Sequence, residues 1–76
     1  MQRYRNLSGE SGVVAYAYGD DWIEVEVGGR RFRGYRYTAR SAGRERVERM
    51  KALAEAGRGL ASYISREVKG GYVSRR

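Results

Sequence analysis

The sequence predicts an α+β domain: a three-stranded antiparallel meander followed by two helices packed on one face, in the order β-β-β-α-α. Three observations carry this. The first half holds a strictly alternating run, Trp22 to Val27 (WIEVEV), flanked by other β-branched and aromatic runs. Glycine-containing turn signals, Gly19-Asp20-Asp21 and Gly28-Gly29, separate those runs. The second half changes to a helical period, with Val47, Met50, Leu53 and Ala54 on one stripe. Two helices following a small antiparallel sheet bury their stripes against one of its faces.

Residues 1–12, with Ser8, Gly9, Ser11 and Gly12, read as a flexible lead-in, 13–73 as the domain and 74–76 as a basic tail. Val13–Tyr18 (VVAYAY) supplies the first strand. As an edge strand it offers spare backbone groups, suited to homodimer formation or to docking a partner strand. In the second strand, Trp22–Val27, Ile23, Val25 and Val27 share one face and Trp22, Glu24 and Glu26 the other. The third strand runs from Arg30 to Tyr37 (RRFRGYRY). Thr38 or Ser41 caps a first helix that reaches about Glu55, and its Arg44, Glu45, Glu48, Arg49 and Lys51 offer i,i+3 and i,i+4 pairs. Gly57-Arg58-Gly59 stops it. A second helix, Leu60 to about Val68, puts Leu60, Tyr63, Ile64 and Val68 on one stripe before Gly70-Gly71 ends it.

A two-residue turn at Gly28-Gly29 sets the pairing across the second hairpin. Glu26 then faces Arg31, Val25 faces Phe32, Glu24 faces Arg33 and Trp22 faces Tyr35. Ile23, Val25, Val27 and Phe32 lie under the helices, and the open face carries two Glu–Arg pairs with a Trp22–Tyr35 pair. Gly34 leaves a second arrangement open, because a glycine inside a strand often marks a bulge that shifts the alternation by one. With a bulge, Tyr35 and Tyr37 turn into the core and Arg36 outward. Without one, both tyrosines stand beside Trp22, where aromatic rings can stack on bases.

Composition narrows the chemistry. A chain of 76 residues, 41% hydrophobic, makes one small domain with a modest core. It has no cysteine, so no disulfide or thiolate site supports it, and no histidine, which with cysteine supplies the commonest general bases, nucleophiles and transition-metal ligands. An enzyme is therefore not expected, nor a cofactor or metal. Asp20-Asp21, the one adjacent acidic pair, falls in a turn signal where aspartates bond local backbone. No apolar run approaches the roughly 20 residues that span a bilayer. The N-terminus lacks the apolar stretch of a signal peptide, and a cytoplasmic location is expected. The net charge of +7, from 16 Lys plus Arg against 9 Asp plus Glu, favours polyanionic partners.

Tyr35-Arg36-Tyr37 in the third strand, the alternating Ile23 to Val27 with its Gly28-Gly29 turn, and the ending Val68-Lys69-Gly70-Gly71-Tyr72 together resemble the KTSC domain, named for the C-terminus of some lysyl-tRNA synthetases. The resemblance spans about residues 11–73. It implies a small sheet followed by two helices, and RNA binding, with Tyr35, Arg36, Tyr37, Lys69 and Tyr72 as the positions that carry over. The chain lacks the Val-Pro that follows the two tyrosines in that family; Thr38 to Gly43 stands there instead.

The expected function is a non-enzymatic nucleic-acid-binding module, with RNA as the ligand. Arg36, Arg66, Lys69, Arg75 and Arg76 are the candidate phosphate contacts, and Tyr35, Tyr37 and Trp22 the candidate stacking groups. The competing expectation is a phage- or plasmid-type accessory module that binds a partner protein, or a second copy, along a sheet edge.

Overall fold

The structure is a computed structural model that describes residues 2–7, 12–28, 33–68, 72 and 74–75. Its strands are β1 (Gln2–Arg3), β2 (Val13–Tyr18), β3 (Trp22–Val27), β4 (Arg33–Thr38) and β5 (Ser74–Arg75). They form one antiparallel sheet in the order β1-β2-β3-β4-β5. The helices are α1 (Ala39–Ala42), α2 (Arg44–Ala56) and α3 (Leu60–Tyr63), the last continuing as a π-helical turn, Ile64–Val68. The α+β class and the central meander follow the sequence reading, but among the described residues the sheet has five strands rather than three. The two added strands are two residues long, too short to leave an alternation in the sequence.

Both termini differ from expectation. Residues 2–7 of the lead-in are part of the fold, because the Tyr4 ring is buried in the core and its hydroxyl accepts from the Leu60 amide at 3.4 Å. β1 and the bond from Tyr4 N–H to the Val14 carbonyl, 2.9 Å, cover the outer side of β2, so β2 is not the edge strand. At the other end, Ser74 and Arg75 pair with Arg36 and Tyr35 instead of forming a tail.

The β2–β3 turn is tight: Gly19 N–H donates to the Trp22 carbonyl at 3.1 Å across Asp20 and Asp21. Those two residues also accept through their carbonyls, from Lys51 Nζ and from the Ala39 amide, each at 2.8 Å. The register slips at Val14, between Val13↔Val27 and Ala15↔Glu26. This bulge lets Val13 and Tyr16, three apart in sequence, both reach the core.

Gly28-Gly29 is not a two-residue turn. Val27 pairs with Arg33, Val25 with Tyr35, Ile23 with Tyr37 and Trp22 with Thr38, in an unbroken register through Gly34. The bulge expected at Gly34 is absent, and residues 29–32, including the expected partners Arg31 and Phe32, lie outside the described residues.

Thr38 caps the first helix with a reciprocal pair of bonds: Ser41 N–H to Thr38 Oγ1 and Thr38 N–H to Ser41 Oγ, both 3.0 Å. The single helix read from the sequence is broken in two at Gly43, whose φ of 97° no helix accommodates. Ile23, Val25, Val47, Met50 and Leu60 form the fully buried centre between sheet and helices. The π turn carries Val68 to this core, where it is buried.

Gly57 ties the N-terminal segment to α2. Its φ of 78° terminates the helix, its N–H bonds the Leu53 carbonyl, and its own carbonyl accepts from the Leu7 amide at 2.7 Å. A Cβ there would lie 2.9 Å from Arg5 Cβ. Gly59 has a similar φ of 80°, but a Cβ there meets Leu53 at an ordinary 3.6 Å. Alanine at either position costs about 1–2 kcal/mol for the left-handed backbone. Gly57→Ala should cost more, because Arg5 must also move. Urea unfolding of the two variants should give a lower midpoint for Gly57→Ala; equal midpoints would contradict this packing.

Candidate nucleic-acid interface

The register of β3 against β4 assigns the expected site residues to opposite faces of the sheet. Tyr37 lies opposite Ile23 and Tyr35 opposite Val25, so both rings join the helix-covered face. Tyr37 is 3% exposed, and Tyr35 is half-buried against the core. Neither ring stands beside Trp22, and the fully buried Tyr37 offers no stacking surface. Tyr72 packs edge-on against both, with centroids 5.2 Å from Tyr35 and 6.3 Å from Tyr37. Tyr35, Tyr37 and Tyr72 therefore form one cluster.

The open face holds the other pair. Arg36 points away from the helices, and its guanidinium carbon lies 4.6 Å from the Trp22 ring centroid. Nε and Nη2 both donate to Glu24 Oε1, at 3.3 and 3.2 Å. The expected Glu24–Arg33 pair is thus replaced by Glu24–Arg36; Glu26 faces Gly34, and Arg33 is exposed opposite Val27. Trp22 sits against the β2–β3 turn so closely that a Cβ on Gly19 would fall 2.2 Å from its Nε1. Gly19 is what leaves room for the indole. Nothing in the alternation of WIEVEV announces this contact, although the glycine directly before the aspartates marked the turn.

Arg66 is exposed on the π turn, beside Ser62 and Ser65, in the helical layer and hence across the sheet from Trp22 and Arg36. Arg75 enters the site through its backbone, as the strand partner of Tyr35. Lys69 and Arg76 lie outside the described residues. The structure thus groups Trp22 with Arg36, and Tyr35 with Tyr37, but does not bring all the expected residues to one surface.

The helical layer carries exposed arginines that the sequence pairs with glutamates along the helix. Lys51–Glu48, at 2.8 Å, is formed. Arg44 and Arg49 instead flank a shallow groove shared with Glu45, Glu48, Ala52 and Tyr63. Arg46 donates to the Ala42 carbonyl at 3.4 Å. At the far end of β2, Tyr18 stacks on Tyr16, donates its hydroxyl to Glu55 and lies under Lys51, which is 5.4 Å from its centroid.

Comparison with protein-family models, curated proteins and solved structures finds no match to this chain.

Burial raises the Tyr37 hydroxyl pKa from 10.0 to about 12, with smaller contributions from Tyr35 and Tyr72. A phenol that ionises later in the folded chain than in the unfolded one stabilises the fold fully below pH 10. That contribution is lost as pH rises from about 10 to about 12. Stability measured across this window should fall less steeply for Tyr37→Phe than for the parent chain. Identical slopes would show that folding does not raise the Tyr37 hydroxyl pKa.

Proposed function

We propose that the chain is a non-enzymatic, cytoplasmic nucleic-acid-binding module whose ligand is RNA. The observation that carries this reading is the state of its arginines. Among the described residues two ion pairs form, Arg36–Glu24 and Lys51–Glu48. Arg33, Arg40, Arg44, Arg49, Arg58 and Arg66 are all exposed and join neither. Guanidinium groups held at a surface without carboxylate partners bind phosphate oxygens bidentately and without sequence preference. The net charge of +7 extends the same attraction over the whole molecule.

Stacking is assigned differently from the sequence expectation. Trp22 on the open face takes this role, together with Tyr72, which is 37% exposed. Tyr37 acts as a core residue that orients its neighbours. The resemblance to the KTSC domain supports the same reading, through Arg36 and Tyr72. Docking of a partner strand on β2 is disfavoured, because β1 and the Tyr4 amide occupy that edge.

Single-stranded RNA should bind more tightly than double-stranded DNA, with an affinity that falls steeply between two salt concentrations. Replacing Arg44 and Arg49 by glutamine should weaken binding alike for all sequences. The salt slope should fall by about 1 for each phosphate that is no longer neutralised. Fluorescence anisotropy with end-labelled oligonucleotides measures both effects. No detectable binding to RNA or DNA at low salt would overturn the proposal.

A further inference from the structure

The phosphate contacts above make no use of the arrangement on the open sheet face. There the planar Arg36 guanidinium lies over the Trp22 indole and directs two adjacent N–H groups at one carboxylate oxygen of Glu24. A flat group that stacks on tryptophan while presenting side-by-side donors to a carboxylate has the chemistry of one edge of a nucleobase. Guanine carries that edge: its N1–H and exocyclic N2–H are adjacent donors belonging to a guanidine-like fragment of the ring. We infer that Arg36 occupies a slot for guanine, and that a guanine of single-stranded RNA displaces it, stacking on Trp22 and donating N1–H and N2–H to Glu24. This inference rests on the RNA reading and names the base that reading leaves unspecified.

The surroundings suit a flat ligand. Among the described residues, Ala15 and Ala17 pair with Glu26 and Glu24 on one side and Gly34 pairs with Glu26 on the other, so these three strand partners present nothing longer than a methyl group. The Arg36 side chain is 43% exposed, so it can swing outward without disturbing the core, whereas that of Glu24, 17% exposed, is held in place. Both interactions that Arg36 gives up are of the weak, partly solvated kind. Once displaced, its guanidinium is free to pair with an RNA phosphate. The other bases fit less well. Adenine and cytosine each set a ring-nitrogen acceptor beside their amino group, and uracil flanks its single N–H with two carbonyls; each turns a lone pair toward Glu24. A site built to receive two donors rejects a base that lacks one of them.

Trp22 is the chain's one tryptophan, so its fluorescence reports on this slot alone. The test uses the full chain at low salt with two single-stranded RNAs of equal length that cannot pair with themselves, one alternating guanosine and adenosine, the other cytidine and adenosine. Total binding is followed separately by anisotropy of an end label. The guanosine RNA should quench Trp22 and bind on the order of tenfold more tightly. Glu24→Gln should abolish that preference while the residual, salt-dependent binding persists. Equal affinities for the two RNAs, with Trp22 unquenched, would overturn the guanine slot and leave the RNA reading standing. No binding of either would overturn both. The comparison of the two RNAs is made on the parent chain, so the outcome stands even if the variant folds poorly.

Discussion

Five residues, 28–32, separate Val27 from its strand partner Arg33, and the pairing that results is the constraint on which the rest of the structure depends. Side chains alternate across a sheet with a period of two, so an odd displacement along β4 exchanges its two faces completely. The observed register sets Glu24 opposite Arg36 rather than Arg33, a displacement of three residues. Tyr35 and Tyr37 are thereby carried inward and Arg36 outward. Tyr37 then closes the core beside Ile23, and Tyr35 gives Tyr72 a ring to pack against, which brings the C-terminal segment alongside β4.

The same register produces the open face. With the tyrosines inside, the described residues of β2–β4 that face away from the helices include Ala15, Ala17, Gly34, Glu24, Glu26 and Arg36, with Trp22 held against Gly19. On the RNA reading proposed above, the two layers would divide the work: the exposed arginines of the helical side would meet the phosphate backbone, and the Trp22–Glu24–Arg36 group of the open face would meet the bases.

How much of this was legible in the sequence depends on the length of the signal. The alternation of WIEVEV and the helical stripe of Val47, Met50 and Ala54 extend over several turns of their period, and they located β3 and α2 correctly. The Gly19-Asp20-Asp21 turn was equally legible, since a glycine and two aspartates leave few alternatives. Gly28-Gly29 misled, because two glycines suit a two-residue turn but also suit any longer connection, and a hairpin register depends on which of these forms. For Tyr35 and Tyr37 the inward orientation had been tied to a bulge at Gly34; the orientation holds, yet it comes from the longer connection. The bulge itself occurs at Val14, where a β-branched residue gives no warning. β1 and β5 could not be read at all, since two-residue strands have no period, and Tyr4 shows its burial only once Leu60 is packed above it.

The β3–β4 pairing can be read directly by NMR. Cross-strand NOEs between the backbones of Val25 and Tyr35, and of Ile23 and Tyr37, are the result this account predicts. NOEs linking Val25 to Phe32 and Glu24 to Arg33 would instead place Tyr35 beside Trp22 on the open face, and would contradict both the buried tyrosine cluster and the slot formed by Trp22, Glu24 and Arg36.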